Sequence, residues 1–387
     1  MKKTYLILFA ILLSGSIFAQ NTMTVEVTAK GTDPTDARTM AKRDALEKAV
    51  GTIIVSNSQM TNMILTSDAI ATSSKGYIAS FNVLDEGPVD DGKMYQVHAT
   101  AEVSLDPLQQ SADIVAQLIG GLKFIVLYDP RGLTPEELEY YEFAYERMNE
   151  KLNVQGYERT EASLFKNLVT MLNPADTGKS FMNNMGLYTN SEFIIWIKNV
   201  EVTKQGEVGG IPNYNVAMEV KTFDNCNWRN LGTIYFKDNN AGMDEKEAWR
   251  NAISTSVDNS FDRLMMLFNN DIAKWIDGGS PYELRFYGFD QMDDMDWFDY
   301  EDLLVADSDT KEDLDVMQSA DYYVIKMKSL KTRRNFIRMA YKATREITDF
   351  NATIDIKYGR QFTLSPNDKV IPEIKAKQDM LQKVNQQ

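Results

Sequence analysis

Along this chain the apolar residues switch repeatedly between two periods, and each switch dictates a change of element. From Met23 to Ala29 they fall on alternate positions, with Thr and Glu between them, which is the pattern of a half-buried strand. Ala37, Ala41, Ala45 and Ala49 then recur at every fourth position beside Leu46 and Val50, a helical stripe of small side chains that lets a helix lie close on a sheet. Asp33 and Pro34 supply its N-cap and first residue, and Gly51 is read as its end. A second helix is expected over 58–73. Strands follow at Tyr77–Leu84 and Met94–Val103, joined across Gly87-Pro88 and Asp91-Gly92.

The alternation continues. Leu122–Tyr128 reads as a buried strand. Thr134, Pro135, Glu136 and Glu137 form a helix start with a capping box, and Leu138, Tyr141, Tyr145, Met148 and Leu152 mark one helical face. After a further helix come strand-like runs at 192–202, 213–223 and 230–236, then helical spacing through Trp249, Ile253, Val257, Phe261, Leu264 and Phe268. Gly278-Gly279-Ser280-Pro281 reads as a linker. Beyond it, strands at 282–289 and 322–330, a short helix at 297–304, a helix marked by Phe336, Ala340, Ala343 and Ile347, and a last strand at 351–358 are expected. The sequence thus predicts an α+β fold of three small units with mainly antiparallel sheets packed by helices. The expected boundaries are a signal peptide at 1–19, units at 20–108, 109–279 and 280–364, and a frayed polar tail at 365–387.

Ala37-Arg38 through Ala45-Leu46, Ala49-Val50-Gly51-Thr52, Lys75-Gly76-Tyr77-Ile78 and the closing hairpin together resemble the N-terminal domain of the flagellar assembly protein T and related exported Gram-negative envelope proteins. The resemblance covers about 85 residues, 22–107, and implies an assembly or scaffold role rather than catalysis. The layout of 120–279 resembles the α/β domains of outer-membrane assembly and curli-secretion lipoproteins.

Lys2 and Lys3, the short apolar run Tyr5–Leu13 and the small residue Ala19 have the order of a cleaved secretory signal. The mature chain is therefore expected in the periplasm or outside the cell, without a transmembrane span. Cys226 is the single cysteine, so no internal disulfide can form and the cores must hold the fold. The chain of 387 residues carries 41 Lys and Arg against 56 Asp and Glu, a formal charge of −15, which argues against general nucleic-acid binding.

Three sequence features invite chemistry and are read as structural. Gly178-Lys179-Ser180 lacks the earlier glycine of a phosphate-binding loop, since position 173 is Asn173, and a helix rather than a strand is expected before it. His98 falls on the outward face of its strand and, as the lone histidine, cannot build a multi-histidine zinc site. Cys226 sits in an expected turn without a nearby base. No cofactor or catalytic residue is assigned.

Two charged segments remain. Twelve acids and one lysine lie between Asp290 and Asp315, and Asp293, Asp294, Asp296, Trp297, Phe298, Asp299 and Tyr300 form a candidate partner surface. The acids could instead ligate calcium, although their register does not fit an EF-hand, or supply a carboxylate pair for glycan hydrolysis. Downstream, Arg333, Arg334, Arg338, Lys342 and Arg345 form a candidate basic surface that either neutralises the acidic stretch or contacts anionic lipid or cell-wall polymer. A non-enzymatic exported scaffold or adaptor, working through envelope protein partners, is the leading expectation. A carboxylate-dependent hydrolase or binder of envelope glycans is the alternative.

Overall fold

Ala37, Ala41, Ala45 and Ala49 have no exposed surface, because their helix lies directly on a sheet. The computed structural model describes residues 21–56, 70, 77–89, 94–119, 122–306, 314–318, 322–348 and 350–385. The leader, the helix expected over 58–73 apart from Ile70, and Lys75 and Gly76 fall outside the described residues. Helix α1 (Pro34–Ser56) packs on β1 (Thr22–Gly31) and β3 (Met94–Ser104), while β2 (Ile78–Val89) completes an antiparallel sheet of order β1-β3-β2. Asp33 Oδ1 accepts from the amides of Thr35 and Asp36 at 2.8 and 2.9 Å, as its N-cap role requires. The helix does not stop at Gly51 but runs on to Ser56. A helix-interior glycine costs only about 1 kcal/mol relative to alanine and does not break a helix that the sheet supports.

The chain divides into two compact units, the first from residues 21–56 and 77–112 and the second chiefly from 113 onward. Helix α2 (Leu105–Ile119) leads from one into the other. The second unit holds the other two sheets, including both segments expected at 109–279 and 280–364. The first of these sheets has order β4-β5-β6-β7, built from Phe124–Leu127, Phe193–Val208, Ile211–Asp224 and Arg229–Ala241, with β4 parallel to β5 and the rest antiparallel. Helices α3 (Pro135–Val154), α4 (Ala162–Met171), α5 (Gly178–Thr189) and α6 (Glu245–Ala273) accompany it. Thr134 and Glu137 form the capping box of α3 as expected. Phe124, Phe193 and Phe268 meet at 4.9–5.3 Å and tie β4 and β5 to α6.

After the short helix α7 (Trp275–Gly278), the segment read as a linker turns sharply and feeds straight into β8 (Ser280–Tyr287). Gly279 has φ +77°, and a Cβ there would lie 2.3 Å from the Ser329 carbonyl carbon, so only glycine fits. The five-stranded sheet has order β11-β12-β8-β10-β9, where β9 is Asp315–Gln318, β10 Tyr322–Ser329, β11 Ala352–Tyr358 and β12 Gln361–Pro366. Strand β12 was not expected after 351–358. It lies parallel to β8, and all six of its residues are buried. One face of this sheet, with Tyr282, Leu284, Phe286, Ile325 and Met327, packs on α8 (Asp294–Ala306) and α9 (Arg333–Thr344) in one apolar core. The tail expected to fray instead forms α10 (Pro372–Asn385), where Ile374 and Val384 are buried. Ile374 joins Leu187, Cys226, Ile356 and Tyr358 in a second cluster, which supplies the packing a lone amphipathic helix lacks. Among the described residues no helix is long and apolar enough to cross a membrane.

Substituting Ala45→Leu should overpack the α1–sheet contact and destabilise the first unit by about 1–3 kcal/mol. Hydrogen exchange should accelerate in β1 and β3 while β5 and β6 keep their protection. Unchanged exchange in β1 and β3 would contradict the close packing of α1.

Candidate functional site

The largest concentration of buried charge in the second unit surrounds Arg360, at the tip of the β11–β12 hairpin. Arg360 is 1% exposed. Its Nη1 and Nη2 donate to the two carboxylate oxygens of Asp224 at 2.9 and 2.8 Å, and Nε donates to Glu192 at 3.0 Å. Glu192 immediately precedes β5 and Asp224 ends β6, so one guanidinium from the five-stranded sheet clasps two strand ends of the four-stranded sheet. Nη1 also donates to the Pro281 carbonyl at 3.1 Å, and the guanidinium lies over the Trp275 ring at 4.6 Å. Burial works against the Arg360 charge, but Asp224 and Glu192 outweigh it and its pKa is raised.

The neighbouring acids are treated alike. The second oxygen of Glu192 accepts from Arg333 at 2.5 Å, and Asp271 accepts from Arg229 at 2.5 Å. Glu283 accepts from Arg285 and, at 3.0 Å, from Gln361. Burial pushes the Asp271 carboxyl upward, opposed by Arg229. Four buried carboxylates thus face four arginines. Tyr358 donates to the Ser191 carbonyl at 2.6 Å and accepts from Asn225 at 2.7 Å, closing the seam between the sheets. Gly359, with φ +52°, is obligatory at the hairpin tip, because a Cβ would meet the Glu192 side chain at 2.3 Å.

Cys226 lies within this seam with no exposed surface, donating to Glu192 at 3.3 Å and accepting from the Arg360 amide at 3.4 Å. Burial first, and the Glu192 carboxylate second, raise its pKa, so the group is a protonated thiol rather than a nucleophile. His98 belongs to the first unit, where its Nε2 lies 2.6 Å from Glu26 on the outward face of the β1–β3 pair. Among the described residues no three His, Cys, Asp or Glu side chains converge as metal ligands.

The candidate partner surface needs correcting in part. Trp297 and Tyr300 are 4% and 0% exposed, because the spacing 297, 300, 304 turns them with Leu304 into the core. Trp297 stacks on Tyr323 at 3.9 Å, and the Tyr300 hydroxyl donates to the Ala340 carbonyl at 3.1 Å. Asp293 and Asp296 form a reciprocal cap at the start of α8: Asp293 Oδ1 accepts from the Asp296 amide at 3.0 Å, and Asp296 accepts from the Asp293 amide at 3.1 Å. Asp294 and Asp299 are exposed, as are Met295 and Phe298 at 63% and 54%.

On α9, Phe336, Met339, Ala340 and Ala343 face the core, while Arg334, Arg338, Lys342 and Arg345 are exposed. Lys342 pairs with Glu346 at 3.3 Å, and Arg345 lies over the Tyr341 ring. Among the described residues no ion pair joins Asp293–Asp302 to Arg333–Arg345. Arg333 reaches instead to Glu192 in the other sheet.

Gly178-Lys179-Ser180 opens α5 and follows helix α4 rather than a strand, as its rejection as a phosphate loop requires. Ser180 donates to Asp176 at 2.8 Å. Lys179 lies 4.8 Å over the Trp228 ring, which also stacks on Phe223. The start of α5 and the turn at Asn227-Trp228 wall a groove of about 540 Å³ whose floor is the polar face of β8, β9 and β10.

Of the functional geometry, the clasp by Arg360 was absent from the sequence reading. Its one local signal is that Glu192 and Asp224 adjoin the apolar residues Phe193–Ile195 and Phe223, where an unpaired charge would be costly.

No family model matches the chain, and no curated protein matches it. Several solved structures are similar over part of it, two of which follow. The lipoprotein GNA1162 from Neisseria meningitidis is 12% identical, with 37% of this chain and 99% of that one covered and a TM-score of 0.27. The hypothetical protein CT253 from Chlamydia trachomatis is 12% identical, with coverages of 39% and 97% and a TM-score of 0.24. Likenesses this low carry no weight for fold or function.

Replacing Arg360 by Met should leave Glu192 and Asp224 buried and uncompensated, at a cost of about 3–5 kcal/mol in urea unfolding followed by tryptophan fluorescence. A loss below about 1 kcal/mol would mean that the clasp is dispensable. In the unchanged protein, Cys226 should resist maleimide at pH 8 until urea unfolds the second unit. Stoichiometric labelling of the folded chain would contradict its burial.

Proposed function

We propose that this chain is an exported bacterial envelope protein that works by recognition, as a scaffold or adaptor, rather than by making or breaking bonds. The observation that carries the reading is that each of the four buried carboxylates around Arg360, those of Glu192, Asp224, Asp271 and Glu283, is paired with an arginine, so none of these four is free to act as a general acid, base or nucleophile. The leader pattern supports export, and the residues resembling the flagellar assembly protein T domain support an assembly role for 22–107. Recognition would use the outer strands β7, β9 and β11 together with exposed apolar side chains such as Tyr235, Met295 and Phe298. The glycan-hydrolase alternative loses its main motive, since Trp297 and Tyr300 are core residues and offer no face for stacking on a sugar.

Affinity capture of the mature protein from cross-linked envelopes should recover a partner at constant stoichiometry, and that partner should be lost when Met295 and Phe298 are both changed to Ser. Recovery of free monomer alone, or turnover of envelope polymer by the purified protein, would contradict the proposal.

A further inference from the structure

We infer that the groove between the start of α5 and the polar face of the five-stranded sheet is a binding site for a small organic anion, held through a carboxylate or phosphate group by Lys179, Arg285 and Lys326. The site is independent of any protein partner, and its test does not bear on the adaptor reading.

Three separate elements deliver these cations: Lys179 from α5, Arg285 from β8 and Lys326 from β10. The strand pairing explains why two of them share a floor. Lys326 stands opposite Glu283 in the antiparallel β8–β10 register, and Arg285 lies two residues further along β8 on the same face. Glu283 is the single carboxylate lining the groove, and it is already engaged by Arg285 and Gln361. Among the described residues neither Lys179 nor Lys326 forms an ion pair. Asp315 stands across from Lys326 on the β9 side, but it lines an adjoining hollow rather than this groove.

The groove therefore carries an excess of positive charge in a chain whose formal charge is −15. The cations sense one another. Burial lowers the Lys179 pKa, and Arg285 and Lys326 lower it further. Lys377 on α10 also senses Arg285: burial and Arg285 lower its pKa, opposed by Asp176 and Glu373. Holding like charges together is unfavourable until an anion joins them. A volume of about 540 Å³ falls in the range of pockets that take a small molecule and exceeds the need of a bare ion. Tyr287, Tyr322 and Met317 line the rest and would accept the less polar body of such a ligand. Trp228 already carries Lys179 over its ring and stacks on Phe223, so its emission reports on Lys179.

Inorganic phosphate, succinate and neutral succinamide, titrated into the full mature chain by calorimetry and by fluorescence, test the site. Phosphate or succinate should bind with one-to-one stoichiometry, weaken with added salt, and change an emission signal that is lost in Trp228→Phe. Binding by phosphate alone would name a phosphate ligand, and binding by succinate alone a carboxylate one. Lys179→Met and Lys326→Met should each weaken binding about tenfold, with melting temperatures close to that of the unchanged protein. The milder Lys179→Gln, at an exposed position, guards against a folding defect. Absence of saturable binding by both anions at millimolar concentration, equal binding of succinamide, or undiminished binding in the double lysine variant would overturn the inference.

Discussion

One buried guanidinium joins the two sheets of the second unit. Arg360 reaches from the hairpin of one sheet to strand ends of another, forming two hydrogen bonds to Asp224 and one to Glu192 where water is excluded. A buried ion pair recovers its large desolvation cost only when geometry is good and the remaining polar atoms are satisfied. Here the planar fork fits the Asp224 carboxylate at both ends, and the Pro281 carbonyl and Trp275 ring complete its shell. Much else depends on this contact. The Cys226 turn, the obligatory glycine at 359 and the wall of the groove by Trp228 are all placed by the meeting of these two sheets.

The charge distribution follows the same division between inside and outside. Acids and arginines neutralise each other inside the seam, so their role is to fix position. The surplus acids lie outside, at positions such as Asp294 and Asp299, where they keep the chain soluble and repel indiscriminate anionic partners. Against that background the hollow lined by Lys179, Arg285 and Lys326 is a local concentration of positive charge.

The local features of the fold were legible in the sequence and the distant ones were not. The alanines of α1 and the capping box at Thr134 declare themselves within a few residues, since period and cap are properties of consecutive positions. Trp297 and Tyr300 show how composition misleads. Their acidic neighbours suggested a surface, while the spacing of 297, 300 and 304 already described a buried helical face. Strand β12 was missed because six residues ending in Pro366 carry little alternation, and its burial comes from β8 and β11 on either side. Helix α10 looked polar because its packing rests on a few apolar side chains meeting residues nearly two hundred positions away. The pairing of Arg360 with Glu192 and Asp224 spans more than 130 positions, and no local pattern can announce it.

The most direct measurement is hydrogen exchange of the unchanged protein across a series of low urea concentrations, comparing peptides at the end of β6 with peptides across the β11–β12 hairpin. If the buried clasp makes the two sheets one cooperative body, both sets of amides will open with the same free energy and the same dependence on urea. A hairpin that opens at markedly lower urea while β6 stays protected would show that the sheets are merely adjacent and that Arg360 does not join them.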